Sequence, residues 1–90
     1  MKHRDQIVDV FSRITDPVQM DRFLGEILTE AERHDLALRW KLMEMLESGM
    51  SQREVAAKLG ISLCKITRGS RVLKKRSSVC RTLIKTKNEE

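Results

Sequence analysis

Residues 50–68 read MSQREVAAKLGISLCKITR, and this pattern predicts two short helices joined by a tight turn. Ser51 and Glu54 have the spacing of a capping box, which would start the first helix. Gly60 supplies the positive φ that the turn demands, and Ser62 can cap the second helix. The residues predicted to pack inward are small or apolar: Val55, Ala56, Leu59 and Ile66. The stretch is therefore predicted to be a helix-turn-helix, with a purely structural αα-hairpin as the alternative.

The positive charge of the chain lies in the same half as this motif. Residues 1–50 contain 7 Lys+Arg and 10 Asp+Glu, a net charge of −3. Residues 51–90 contain 11 Lys+Arg and 3 Asp+Glu, a net charge of +8. Such asymmetry indicates a polyanionic partner for the second half, whereas a basic surface that serves only solubility is the alternative.

The second helix of the motif has a polar and basic face without a packing role, which suits the major groove of DNA. Lys65 could donate to guanine, and Leu63 could contact a thymine methyl group. We expect base edges to be approached by Leu63, Cys64, Lys65 and Thr67. The expected phosphate contacts are Gln52, Arg53, Lys58, Lys74 and Lys75.

Three helices are predicted before the motif and one after it. The first ends near Thr15, the second runs from Pro17 to about Leu28, and the third runs from Glu30 to Ser48. Their start signals are Asp16 before Pro17, and a capping box of Thr29 and Glu32. After the motif, Ser77 and Ser78 can cap a short helix through Val79, Leu83 and Ile84, followed by a mobile tail at Lys85–Glu90.

The third predicted helix is apolar around most of its circumference. One stripe consists of Leu36, Trp40, Met43 and Leu46, and a second consists of Leu38, Leu42 and Met45. Such a helix must be covered on several sides, and a chain of 90 residues has little to cover it with. A homodimer is the predicted solution, and a monomer whose own helices cover both stripes is the alternative.

The composition excludes several other classes of protein. Cys64 and Cys80 form no CxxC pair and have no zinc-ligand spacing with His3 and His34, so we expect free thiols and no metal. No apolar run reaches the length of a membrane span, and no secretory or catalytic motif is present. We therefore expect a cytoplasmic protein that is neither an enzyme nor membrane-bound.

Two positions conflict with their surroundings. Arg39 lies on the first apolar stripe of the third helix, so it needs a partner such as Asp35, a wet cleft for its head group, or a ligand carboxylate. Gly69 lies inside the second helix of the motif, where glycine costs about 0.5–1 kcal/mol relative to alanine. A close approach by another backbone or by a ligand would explain Gly69. The neighbouring Arg68 could contact either a phosphate or an acidic ligand.

Three stretches resemble the tryptophan repressor family: LTEAER at 28–33, MSQRE at 50–54 and ITRGS at 66–70. The resemblance covers about Leu28 to Lys74, and its TRGS element is specific. It implies an all-α, six-helix fold in an intertwined homodimer. It also implies a transcriptional repressor without a cofactor, which binds L-tryptophan as its corepressor and then binds operator DNA. In this single helical domain, residues 1–49 would form the dimerisation core, 50–75 the helix-turn-helix, and 76–90 the C-terminal helix and tail.

The resemblance also implies where the ligand binds. Arg39 and Arg68 would sandwich the indole, with Arg68 also meeting the carboxylate. Thr29 would contact the ligand, and Gly69 and Leu28 of the other subunit would line the cleft. Two positions depart from the family, because Val72 stands where a serine is usual and Glu26 where a leucine is usual. A ligand-independent regulator of the same fold and a helical protein-interaction module are therefore the alternative functions.

Overall fold

The computed structural model describes residues 2–89, with the side chains of residues 2–86. This part of the chain forms six α-helices and no strand, which confirms the predicted all-α, six-helix class. The helices are α1 His3–Arg13, α2 Pro17–Ile27, α3 Glu30–Glu47, α4 Gln52–Leu59, α5 Leu63–Lys74 and α6 Val79–Glu89. No helix of the described residues is long and apolar enough to cross a membrane.

The chain divides into two compact units, and His34 is the last residue of the first. In this first unit, Asp16 caps α2 as predicted, its carboxylate accepting from the Gln19 backbone N–H at 3.1 Å. Phe11 and Phe23 pack edge to face with ring centroids 5.1 Å apart. Neither α1 nor α2 contains a buried residue, so this unit has little core of its own.

The second unit, from Asp35 onward, contains the helix-turn-helix and a true core. Its buried cluster consists of Leu42, Met45, Val55 and Ile66. The residues packed against this cluster include Ala56 and Leu59, so every residue predicted to point inward does so. Gly60 adopts a left-handed conformation with φ of 65°, which joins α4 to α5.

The helix starts follow the predicted caps with one exception. In α4, the Ser51 hydroxyl accepts from the Glu54 backbone N–H and the Glu54 carboxylate accepts from the Ser51 backbone N–H, both at 3.2 Å. Ser62 occupies the predicted position before α5, but its side chain makes no capping hydrogen bond. In α6, the Ser78 hydroxyl accepts from the Arg81 backbone N–H at 3.2 Å.

Two further expectations need correction. Helix α6 continues through Glu89, where we expected a tail from Lys85, because no glycine or proline interrupts residues 79–89. Glu90 lies outside the described residues. The third helix is buried only on its second stripe, at Leu42 and Met45, whereas Leu36 on the first stripe is 48% exposed.

Candidate DNA interface and ligand site

Helix α5 buries one face and exposes the other. Ile66, Gly69 and Leu73 recur at intervals of three and four residues, and all three are buried. The exposed side chains of the same helix include Leu63, Cys64, Lys65, Arg68 and Arg71. Three of the four residues predicted to approach base edges are therefore accessible on the helix that would enter the groove.

Thr67, the fourth of these residues, has a different environment. It is half-buried, and its hydroxyl lies 2.9 Å from the Leu63 carbonyl oxygen and 3.3 Å from Oε1 of Gln52. Its hydroxyl therefore faces its own helix and α4. The sequence pattern missed this contact because Gln52 belongs to another helix.

The residues predicted to contact phosphates are mostly free cations at the surface. Arg53, Lys58, Lys74 and Lys75 are exposed, and Gln52 is half-buried. Within the part of the chain that the structure describes, the charged groups of these four cations make no ion pair or hydrogen bond. Between Glu54 and Glu89 the chain has no acidic residue, so no carboxylate lies near Lys74 or Lys75 in the sequence. This arrangement favours a negatively charged partner.

Arg39 also has an unpaired guanidinium among the described residues, because the possible ion pair with Asp35 does not form. The two residues instead line one small cavity of about 30 Å³, together with Leu38, Leu42, Ile61 and Lys65. That volume has room for a water molecule or two, whereas pockets for small ligands usually measure about 300 Å³ or more. Arg68 and Gly69 do not line this cavity.

Gly69 faces side chains of α3. A Cβ atom at residue 69 would lie 2.3 Å from Cδ1 of Leu42 and 3.4 Å from Cγ of Met43. Leu42 is only 2% exposed, so it has little freedom to move away. The sequence predicted a close approach by another backbone or by a ligand, whereas the structure has the side chain of Leu42 there. The helical pattern assigned Leu42 to the core without indicating its partner.

Leu28 and Thr29 belong to the first unit, at the junction of α2 and α3. Leu28 is half-buried and ends α2. The Thr29 hydroxyl accepts from the Glu32 backbone N–H at 3.1 Å, and the Glu32 carboxylate accepts from the Thr29 backbone N–H at 2.8 Å. Hydrogen bonding to the Glu32 carboxylate by the Thr29 backbone N–H, and to a smaller extent by the Thr29 side chain, lowers the pKa of Glu32 below its usual 4.5.

Comparison with known proteins decides the family. The family described as Trp repressor protein matches residues 2–88. The chain belongs to the Trp repressor family. Members of this family are regulators rather than enzymes, and the names of the relatives described next support a repressor.

Three relatives from different organisms share the name Trp operon repressor homolog. A Trp operon repressor homolog of Vibrio campbellii is 33% identical over 90 residues, covering 99% of this chain and 90% of that protein. A Trp operon repressor homolog of Chlamydia trachomatis is 38% identical over 69 residues, covering 71% of this chain and 73% of that protein. A Trp operon repressor homolog of Vibrio parahaemolyticus is 35% identical over 79 residues, with 84% and 77% covered. No solved structure matches the chain significantly.

The two departures from the Trp repressor family lie in different units. Val72 is half-buried in α5, three residues after Gly69, and has no polar atom to offer a ligand. Glu26 is exposed in α2 and lines an open groove with Phe23 and Ile27. That both residues lie at a ligand site stays a prediction from the resemblance.

Proposed function

We propose that the protein is a sequence-specific DNA-binding transcriptional repressor that acts as a homodimer and uses L-tryptophan as its corepressor. The observation that carries this proposal is the exposed basic face of α5, in a helix-turn-helix of a Trp repressor family member. The relatives' name, Trp operon repressor homolog, points to operators of tryptophan-related genes. The protein would act in the cytoplasm, where it meets both DNA and free amino acid.

DNA binding divides between two groups of residues. Arg53, Lys58, Lys74 and Lys75 would neutralise phosphates and provide most of the affinity, and Gln52 would add a neutral phosphate contact. Leu63, Cys64 and Lys65 would contact base edges in the major groove. The sequence preference of the repressor therefore depends on the first turn of α5.

A homodimer would cover the apolar surface that a single chain leaves exposed. Val79 and Leu83 on α6 are 69% and 54% exposed, and Leu36 on α3 is 48% exposed. Neither α1 nor α2 of the first unit contains a buried residue. A small domain that buries so little surface is not stable alone, and a second copy would supply the missing burial. Two copies would also present two recognition helices to successive turns of the DNA, as helix-turn-helix dimers generally do.

The corepressor would act by selecting one arrangement of the recognition helices. The guanidinium groups of Arg39 and Arg68 are exposed and unpaired among the described residues, so both can bind a carboxylate or stack on an indole. The small cavity at Arg39 in a single chain is not lined by Arg68 or Gly69, so the tryptophan site would be completed only in the dimer, where Leu28 of the other subunit would line it. A ligand that binds only one arrangement of the recognition helices increases the population of that arrangement.

A ligand-independent regulator of the same fold is the second candidate. Leu42 occupies the space beside Gly69, which explains the need for glycine without a ligand and so favours this second candidate. Fluorescence anisotropy with duplexes selected from a random pool, with and without L-tryptophan, separates the candidates. Tryptophan-dependent binding supports the proposed repressor, and equal binding supports the ligand-independent regulator. If the protein selects no duplex from the pool under either condition, both DNA-binding candidates are wrong and a protein-interaction module is the remaining candidate.

A further inference from the structure

A side-chain hydrogen bond joins the two helices of the helix-turn-helix. Gln52 is the first residue of α4, and Thr67 lies in the second turn of α5. The Thr67 hydroxyl lies 3.3 Å from Oε1 of Gln52 and 2.9 Å from the carbonyl oxygen of Leu63. Both contacts place the hydroxyl as a donor to oxygen. Because a hydroxyl has one proton, Thr67 can make only one of them fully at a time.

Donation from Thr67 to Gln52 determines which end of the Gln52 amide faces outward. A glutamine amide has an accepting oxygen and a donating nitrogen at opposite ends. When Thr67 donates to Oε1, the Nε2 group of Gln52 points away from Thr67. DNA phosphate oxygens only accept hydrogen bonds, so they can use Gln52 only when Nε2 faces them.

We propose that Thr67 is a positioning residue that holds the Gln52 amide with its Nε2 group toward a DNA phosphate. The proposal rests on the proposed DNA-binding function and gives Thr67 a role other than base contact. In the free protein, the shorter contact of the hydroxyl is to Leu63. When a phosphate accepts from Nε2 of Gln52, the Oε1 atom faces Thr67 and can accept from its hydroxyl. The two hydrogen bonds, from Thr67 to Gln52 and from Gln52 to the phosphate, then strengthen each other by polarisation.

A double-mutant cycle tests this coupling. The dissociation constant is measured by fluorescence anisotropy, in the presence of L-tryptophan, with a duplex selected by the wild-type protein from a random pool. We expect Gln52→Ala and Thr67→Val each to weaken binding about 5- to 30-fold, the usual range for losing one hydrogen bond. The double variant should bind no more weakly than the weaker single variant, because Thr67 acts only through Gln52. Thr67→Ser keeps the hydroxyl and should bind within about twofold of wild type.

Two further readouts distinguish positioning from a general structural effect. The salt dependence of binding should be unchanged in Thr67→Val, because Gln52 is neutral and releases no counterion. The loss should also be the same on an unrelated duplex, because phosphates carry no sequence information. Thr67→Ala replaces Thr67→Val if circular dichroism shows that the valine variant is unfolded.

Several results would overturn the proposal. Additive losses in the double variant mean that Thr67 and Gln52 act separately, and a loss restricted to the selected duplex means that Gln52 contacts a base. Weak binding by Thr67→Ser also contradicts the role of the hydroxyl. These outcomes leave DNA binding itself intact. If the wild-type protein binds no duplex, the proposed function fails, and the positioning role fails with it.

Discussion

Leu42 in α3 occupies the space that a side chain at residue 69 of α5 would need. A Cβ atom built at Gly69 would lie 2.3 Å from Cδ1 of Leu42, far inside van der Waals contact. Both residues are buried, and Leu42 also packs in the core with Val55 and Ile66. The glycine therefore sets how closely α3 and α5 approach, and with it the position of α5.

Gly69→Ala should lower the free energy of unfolding by about 1–3 kcal/mol, the usual cost of overpacking a core. This loss should occur although alanine favours a helix over glycine by about 0.5–1 kcal/mol. Combining it with Leu42→Ala, which removes the clashing atom, should cost less than the sum of the two single changes. Urea unfolding at one fixed protein concentration measures all three variants.

Gly25→Ala is the matched control for this cycle. Gly25 also lies inside a helix, but a Cβ atom there meets nothing closer than Nη1 of Arg33, at 3.7 Å. We expect it to raise stability by about 0.5–1 kcal/mol. If the Gly69 and Leu42 losses are additive, Leu42 does not confine residue 69. A larger side chain, as in Gly69→Leu, would also clash with Leu42 and disrupt the core, so that variant cannot test whether residue 69 lines a ligand site.

Arg39→Ala should remove the response to L-tryptophan without loss of folding, because Arg39 is exposed and has no partner among the described residues. Losing one charge-assisted contact should weaken tryptophan binding about 10- to 100-fold, as measured by isothermal titration calorimetry. Arg39→Lys keeps the charge but loses the planar group, so it should restore binding only in part. Arg4→Ala, an exposed change in α1, is the control. Full tryptophan affinity in Arg39→Ala would remove Arg39 from the site.

Lys65→Ala should change the DNA sequence that the protein selects, because Lys65 is exposed in the first turn of α5. Lys74→Ala should instead weaken binding to all duplexes and reduce the slope of log K against log salt by about one. Selection from a random pool measures the first effect, and anisotropy over a salt series measures the second. An unchanged selected sequence in Lys65→Ala would contradict its role in base recognition.

The capping box of α4 should make stability depend on pH. Hydrogen bonds from the backbone and side chain of Ser51 lower the pKa of Glu54 below its usual 4.5. The folded state therefore favours the charged carboxylate, and this stabilisation is present above pH 4.5 and lost as the pH falls through the lower folded pKa. Glu54→Gln keeps an accepting oxygen but cannot ionise, so urea unfolding should show less loss of its stability below pH 4.5 than for wild type. Equal pH dependence in the two proteins would mean that Glu54 contributes nothing to it.

Leu83→Lys should prevent dimer formation if α6 lies in the dimer interface. Leu83 is 54% exposed in a single chain, and a buried lysine without a partner is costly. Analytical ultracentrifugation should then show a monomer, and the melting temperature should no longer rise with protein concentration. Thr86→Lys, an exposed change on the same helix, is the control. If the Leu83→Lys protein sediments like the wild type, Leu83 does not lie in the dimer interface.

The sequence determined the helices and the family of this protein. Capping boxes at Thr29 and Ser51 are formed by residues three positions apart, so their hydrogen bonds could be predicted from spacing alone. The buried face of α5 follows from the helical period, which is also local. Three short stretches, of which the TRGS element at 67–70 is the specific one, indicated the Trp repressor family, which the comparison confirmed.

Only the tertiary structure decided which side chains meet across different helices. Helical spacing indicated that Gly69 permits a close approach, but it could not identify Leu42, which lies far away in the chain. The same is true of Gln52 beside Thr67, and of Arg39, which lines a cavity with Lys65 instead of pairing with Asp35. A periodic pattern specifies the buried face of each helix, whereas the register between two helices depends on the shapes of all the side chains that pack between them.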